Sequence, residues 1–404
     1  YPDISLDRDG VYSGSAFVED ETIHYFYTGN VKLTDREDYD YINSGREQNT
    51  IHMTSKDGYK ISEKELILSN DDYPIDMSKH VRDPKIFKKN NYYYMVLGGR
   101  TSDNQGCVLL YKSKDLINFE YYNRIEVDDF GYMWECPDLF ELDGELFLVV
   151  CPQGISQRGY DYANVYQTGY FKVDYDFDNN TYKISEFKEL DRGFDFYAPQ
   201  TTEDEEGRKI LIGWMGLPEI DYPTDKNGWA HCLTIPRELE LKGDKLIQKP
   251  VKELELLRGE KIECSYTLSN EEKDIVGFNE KTYELICNFN NITGRYVGIK
   301  LRKGIDSETV FYYDIENKKL VLDRSKSGEV FATEYGTERK CEYNEKNLKV
   351  QIFVDVSSVE IFVNDGVEVF TSRIFTKEDS KGISVFADGQ ADIDINLWRL
   401  NCLE

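Results

Sequence analysis

A chain of 404 residues exceeds one ordinary hydrophobic core and predicts two compact domains. Its formal charge of −27, from 49 cations against 76 anions, disfavours nucleic acid or an anionic membrane as partner, since both require a basic face. Hydrophobic residues at 40 %, with 30 Tyr and 21 Phe, exclude widespread disorder and favour strands, because aromatic side chains suit a half-buried pleated surface.

The chain opens on Tyr1-Pro2-Asp3, with neither Met nor a signal-like segment, as a fragment would. Four segments then repeat one layout: a short polar motif, an apolar strand, a turn with Asp, Asn or Gly, and a second apolar strand. They are SGSAFVEDETIHYFYTGN from Ser13, RDPKIFKKNNYYYMVLGG from Arg82, ECPDLFELDGELFLVVCP from Glu135 and YAPQTTEDEEGRKILIGWM from Tyr197. Their starts lie 69, 53 and 62 residues apart, close to the length of a four-stranded sheet with its loops, and this period predicts β-propeller blades. The innermost strand of each blade lines a central channel, so the four opening motifs are expected to face one pocket. Four hairpins of a large sandwich are the alternative.

The propeller is assigned residues 1–250, followed by a linker over 251–262 with a short helix-like stretch from Val251 to Arg258. Residues 263–404 read as alternating strands such as TYELICNF, VFYYDI and LKVQIFVDVSSVEIFVND, with turn residues every eight to twelve positions, and predict a β-sandwich. No apolar run approaches the roughly 20 residues that cross a bilayer.

The eight cysteines, at 107, 136, 151, 232, 264, 287, 341 and 402, form no C-x-x-C pair. Reduced thiols in a cytoplasmic protein are the simplest account, and a few bridges in a secreted one the alternative. His24, His52, His80 and His231 show no metal-ligand spacing, and no phosphate-cradling glycine loop occurs, so neither metal nor cofactor is expected and each His is assigned to packing. The motif starts carry carboxylates instead: Asp83, Glu135 and Asp195. Cleaving a glycosidic bond takes one carboxylic acid to protonate the departing oxygen and a carboxylate to attack or shield the oxocarbenium-like carbon. Crowding raises the pKa of one such group and keeps it protonated near neutrality. Trp134, Trp214 and Trp229 can offer flat faces to sugar C–H groups, and Arg82 can fork onto hydroxyls, although Trp in a strand is more often core and an Arg-Asp dipeptide more often plain surface. Two Asn-x-Thr acceptor patterns, at Asn179 and Asn291, are read as chance.

These motifs closely resemble glycoside hydrolase family 32, the invertase and fructanase family, and within it the bacterial subgroup acting on sucrose 6-phosphate. The resemblance covers almost the whole chain. It rests on Asp9-Gly10-Val11-Tyr12-Ser13-Gly14-Ser15-Ala16, Arg82-Asp83-Pro84, Trp134-Glu135-Cys136-Pro137-Asp138, Asp195-Phe196-Tyr197-Ala198-Pro199-Gln200, Gly213-Trp214-Met215 and Pro236-Arg237-Glu238-Leu239. It implies a five-bladed propeller followed by a β-sandwich, a small-molecule carbohydrate as partner, and a retaining double displacement on a terminal β-fructofuranoside. Glu135 would be the acid/base and Asp83 the transition-state stabiliser. Arg82 and Asp83 would hold fructose hydroxyls, Tyr12 and Ser13 would line the sugar site, and Asp195, Tyr197 and Trp214 would contribute to the pocket. The subgroup likeness is strongest at Gly131-Tyr132-Met133-Trp134-Glu135 and Cys151-Pro152-Gln153-Gly154, but no phosphate clamp can be identified from the sequence.

The family's nucleophile, the first Asp of Asn-Asp-Pro-Asn-Gly, has no match, and only twelve residues precede Ser13. Residues 1–404 are therefore expected to hydrolyse such substrates poorly, because no covalent intermediate forms without a nucleophile. A ring short of one blade would also expose sheet edges and invite a homo-oligomer. The alternative function is a non-catalytic fructan- or sugar-binding or regulatory relic.

Overall fold

The computed structural model describes residues 1–401, so Cys402 lies outside the described residues. The chain forms two compact units, residues 1–155 with 166–188 and residues 156–165 with 189–404.

The first unit holds three blades. The first is β1 (Val11–Glu19), β2 (Thr22–Lys32), β3 (Arg46–Ser55) and β4 (Glu65–Leu68), and the second is β5 (Met77–Lys89), β6 (Tyr92–Thr101), β7 (Gly106–Ser113) and β8 (Glu120–Glu126). The third is β9 (Met133–Leu142), β10 (Glu145–Gln153), β11 (Gly169–Asp176) and β12 (Thr181–Ile184), with the two-residue β13 (Lys188–Glu189) added to β11. Each of the four-strand runs is an antiparallel meander. The turns that start them are local in origin: Asp20-Glu21, Asn90-Asn91 and Asp143-Gly144 all take positive φ at both positions, the conformation that matches strand twist in a two-residue hairpin.

Apolar side chains fill the spaces between blades. Phe26 of the first blade packs with Val81, Ile86, Met95, Leu97 and Leu109 of the second. Between the second and third, Trp134 is completely buried, stacks on Phe171 with centroids 5.4 Å apart and donates from Nε1 to Phe130 O at 2.7 Å. A sugar-facing role for Trp134 is thereby corrected, because its faces are consumed by the blade interface.

The second unit starts with the fourth blade, β14 (Tyr197–Glu203), β15 (Lys209–Met215), β16 (Cys232–Leu233), β17 (Arg237–Lys242) and β18 (Lys245–Pro250). A 3-10 turn over Lys252–Leu257 follows inside the expected linker, and the C-terminal sheet already begins at Arg258. That sheet comprises β19 (Arg258–Asp274), β20 (Tyr283–Asn290), β21 (Tyr296–Lys303), β22 (Glu308–Asp314), β23 (Lys319–Lys326), β24 (Glu338–Glu342), β25 (Leu348–Val354), β26 (Ser358–Val363), β27 (Glu368–Arg373) and β28 (Gly382–Leu400).

The 19-residue β28 explains how one ten-stranded sheet becomes two layers. Its first half pairs with β21 and its second half with β20, while β19 follows it along nearly its full length. At the changeover Gly389 takes φ +127° opposite a register shift beside Asn270, where the strand pair bends. The layers then close on a common core, with the rings of Phe311 and Phe370 meeting edge to face at 5.3 Å. The fourth blade joins this unit through Arg237, which is wholly buried. Its Nη1 donates to Asp191 Oδ2 at 3.1 Å and to Gln248 at 2.9 Å, and its Nη2 to Glu360 Oε2 and to Thr371, both at 2.7 Å. This is why the fourth blade groups with the C-terminal sheet.

Candidate active site

All four blades carry a register irregularity at the opening motif: Val11/Gly14 on β1, Arg82/Lys85 on β5, Glu135–Asp138 on β9 and Tyr197/Gln200 on β14. In three of them the residue before proline, Asp83, Cys136 or Ala198, has φ of +64°, +48° or +46°. A non-glycine residue in that region costs on the order of 1–3 kcal/mol and persists where surroundings over-determine it. Here the bulges are fastened from blade to blade. The Asp83 N–H donates to Thr28 Oγ1 at 3.0 Å on β2, and the Cys136 N–H donates to Asp83 Oδ2 at 2.9 Å. Ser15 Oγ donates to Pro84 O at 2.7 Å, and Lys85 pairs with Asp138 at 3.5 Å.

The bulges bring Arg82, Asp83 and Glu135 together. Glu135 Oε1 accepts from Arg82 Nε at 3.1 Å and Nη2 at 2.6 Å, while Oε2 accepts from Gln153 Nε2 at 2.7 Å. Gln153 reaches this place because Gly131 and Gly154 hold φ near +80°; a Cβ on Gly131 would sit 2.4 Å from Gln153 O, and one on Gly154 2.3 Å from the Tyr132 ring. Arg82 is steered from behind. Its Nη1 donates to His80 Nδ1 at 3.0 Å, which leaves the His80 Nε2–H to donate to Tyr41 O at 3.1 Å. Burial and the charges of Arg82 and Arg46 push the His80 pKa down to about 3, so this imidazole acts as a neutral relay of hydrogen bonds. His80 and Gln153 are therefore positioning residues. The sequence placed Gln153 in a flagged motif but assigned His80 to packing.

Asp83 lies against Glu135 and is almost fully buried, with Arg82 Nε 4.0 Å from its Oδ2. Burial raises its pKa to about 6, Arg82 works against the shift and Glu135 adds to it. The unfolded chain ionises this group near the ordinary carboxylate value of ~4, so the folded state keeps an extra proton between about pH 4 and pH 6. Stability falls as pH rises through that window. Asp83→Asn is accordingly expected to gain roughly 2 kcal/mol at pH 7.5 and almost nothing at pH 4. Urea unfolding at the two pH values checks this; an equal effect at both would remove the ionisation of Asp83 as its cause.

Tyr12 and Ser13 lie at the start of β1, half-buried and exposed, two to three residues ahead of Ser15. Asp195, Tyr197 and Trp214 belong to the second unit. Tyr197 is buried and Trp214 half-buried, with their rings edge to face at 6.2 Å. The Asp195 carboxylate is taken up inside that unit: Oδ1 accepts from Tyr222 at 2.7 Å, and Oδ2 from Arg324 at 2.9 Å and the Arg373 N–H at 2.7 Å. It thus ties the start of the fourth blade to β23 and β27.

Residues 1–250 match the Glycosyl hydrolases family 32 N-terminal domain, and residues 253–399 match the Glycosyl hydrolases family 32 C terminal. The chain is 42 % identical over 402 residues to a sucrose-6-phosphate hydrolase of Staphylococcus xylosus, spanning 99 % of this chain and 80 % of that protein. It is 36 % identical over 405 residues to the sucrose-6-phosphate hydrolase of Bacillus subtilis, spanning 98 % and 80 %. Among solved structures, a sucrose-6-phosphate hydrolase from Lactobacillus gasseri superposes with a TM-score of 0.88 at 31 % identity, over 99 % of this chain and 80 % of that one.

Proposed function

The chain belongs to glycosyl hydrolase family 32, and on that premise we propose that it releases fructose from sucrose 6-phosphate by a retaining double displacement. The observation that carries the reading is the pair of blade bulges that sets Asp83 and Glu135 side by side with Arg82 forked onto Glu135. Glu135 keeps 17 % of its side chain open to solvent against 7 % for Asp83, which suits the group that must reach the departing oxygen. It gives its proton to that oxygen and later takes one from the attacking water. Asp83, ionised above about pH 6, faces the positive charge that develops on the sugar.

Forming the fructosyl–enzyme bond calls for a third carboxylate, so slow turnover by residues 1–404 alone remains part of the proposal. The cytoplasm is the proposed compartment, on the cysteine argument above. The test measures binding beside hydrolysis for sucrose 6-phosphate and sucrose. A kcat/KM at least tenfold higher for the phosphorylated sugar, with β-fructofuranose as the first anomer seen by NMR, is the expected result. Tight binding with no fructose released from either, even by a chain extended to carry the third carboxylate, would favour the sugar-binding alternative and overturn the hydrolase reading.

A further inference from the structure

Arg46, the first residue of β3, is only 5 % exposed, and its guanidinium lies over Tyr41 with Cζ 4.1 Å from the ring centroid. Its Nε has no hydrogen-bond partner, and no carboxylate pairs with it among the described residues. Other buried arginines without an ion pair spend their protons on oxygens: Arg302 on Thr376 and Lys281 O, Arg373 on Ser357 O and Ala230 O. A guanidinium whose Nε is buried without an acceptor and whose charge has no carboxylate partner has chemistry that asks for an anion.

A second cation stands near it. Arg100, at the end of β6, lies over Tyr132 at 4.5 Å and shares only a neutral acceptor, Asn104 Oδ1. Ser78 Oγ donates to Arg100 O at 2.7 Å and accepts from the His80 N–H at 3.1 Å, so Arg100 is joined through Ser78 to the residue that holds Arg82. Burial lowers the basicity of His80, and the charges of Arg82, Arg46 and Arg100 all lower it further. Arg82 is committed to Glu135. The Tyr41 ring that carries Arg46 also packs on His80, centroids 5.0 Å apart, and His80 holds Arg82. In a chain of net charge −27, two guanidiniums without a carboxylate partner near the residues that hold the candidate acid are not a by-product of a basic surface.

We infer that Arg46 and Arg100 clamp the phosphate ester of the substrate beside the sugar bond on which Glu135 acts. This rests on the phosphorylated fructoside proposed above and assigns the clamp that the sequence left open. Two guanidinium forks match the oxygens of a phosphate dianion, and the Tyr41 and Tyr132 rings keep their planes oriented. Selectivity comes from cost as well as contact, since an unphosphorylated sugar closes the site over a cation that stays unpaired.

Isothermal titration of sucrose and sucrose 6-phosphate into the wild-type chain, Arg46→Met and Arg100→Gln tests the clamp. The ratio of the two dissociation constants is expected to favour the phosphorylated sugar by tenfold or more in the wild type. Each variant is expected to lower that ratio by roughly tenfold, toward one. A ratio preserved in both variants overturns the clamp and leaves the phosphorylated substrate standing, whereas a ratio near one in the wild type overturns the substrate reading and the clamp with it. Thermal unfolding adds a readout that needs no sugar: Arg46→Met is expected to melt higher than wild type, because it removes a buried N–H that has no acceptor and a charge that has no partner. A lower melting temperature would count against the clamp, by showing that the fold itself uses the guanidinium.

Discussion

Replacing Glu135 by Gln is expected to lower fructose release from sucrose 6-phosphate by about 10²- to 10⁴-fold relative to the unsubstituted protein. The amide keeps an oxygen for Arg82 and cannot donate a proton to the departing glucosyl oxygen. A fructoside with a 4-nitrophenolate leaving group needs no such proton, and its first-turnover release is expected to fall by less than about tenfold. Pre-steady-state measurement on both substrates separates the roles, and equal losses would remove Glu135 as proton donor. Substitution of Gln153 gives a softer version of the same defect, since it loosens one carboxylate oxygen without touching the proton.

The second large effect is on stability. Arg237→Met is expected to cost about 3–5 kcal/mol, because it strands the buried carboxylates of Asp191 and Glu360. Burial already raises the Glu360 pKa, and Arg237 is what opposes the rise. Removing the cation therefore leaves a group that protonates more readily, and the loss is expected to shrink as pH is lowered. Adding Glu360→Leu to Arg237→Met is expected to recover part of the loss, as apolar packing replaces a broken ion pair. Denaturant unfolding of the single and double variants checks both statements. A double variant less stable than the single one would show that Glu360 is held chiefly by the Ile235 N–H, which donates to its other oxygen at 2.9 Å.

Local features were legible and distant partners were not. The blade repeat could be read because each blade is built from short-range signals: an opening motif with a residue before proline, and a two-residue turn with two left-handed positions. Asp83 and Glu135 stood out because they are carboxylates at the blade starts, where a shared pocket was expected, and the structure brings them together in the first unit. Asp195 met the same criterion and is nevertheless bound internally, since Arg324 and Arg373 come from strands more than a hundred residues away. Nothing in a local motif signals that. Trp134 and His80 show the limit from both sides. A tryptophan beside the acid turned out to be core, and a histidine with no ligand spacing turned out to hold Arg82, because burial and tautomer are set by neighbouring blades. Pro236-Arg237-Glu238-Leu239 is a further case: it belongs to the motifs that carry the family likeness, and its buried arginine serves the fold.

The long β28 strand also sets the order in which the second unit can be completed. Because β28 alone joins β21 to β20 and gives β19 its partner, the two layers of the C-terminal core cannot be joined until residues 382–400 have been made. The three blades of the first unit pair with nothing beyond residue 189 and can assemble while synthesis continues. During translation the candidate acid and its stabiliser are thus in place well before the sheet that holds Arg237, and the emerging β19–β27 strands, rich in unpaired edges, are where a nascent chain is most open to proteases and chaperones.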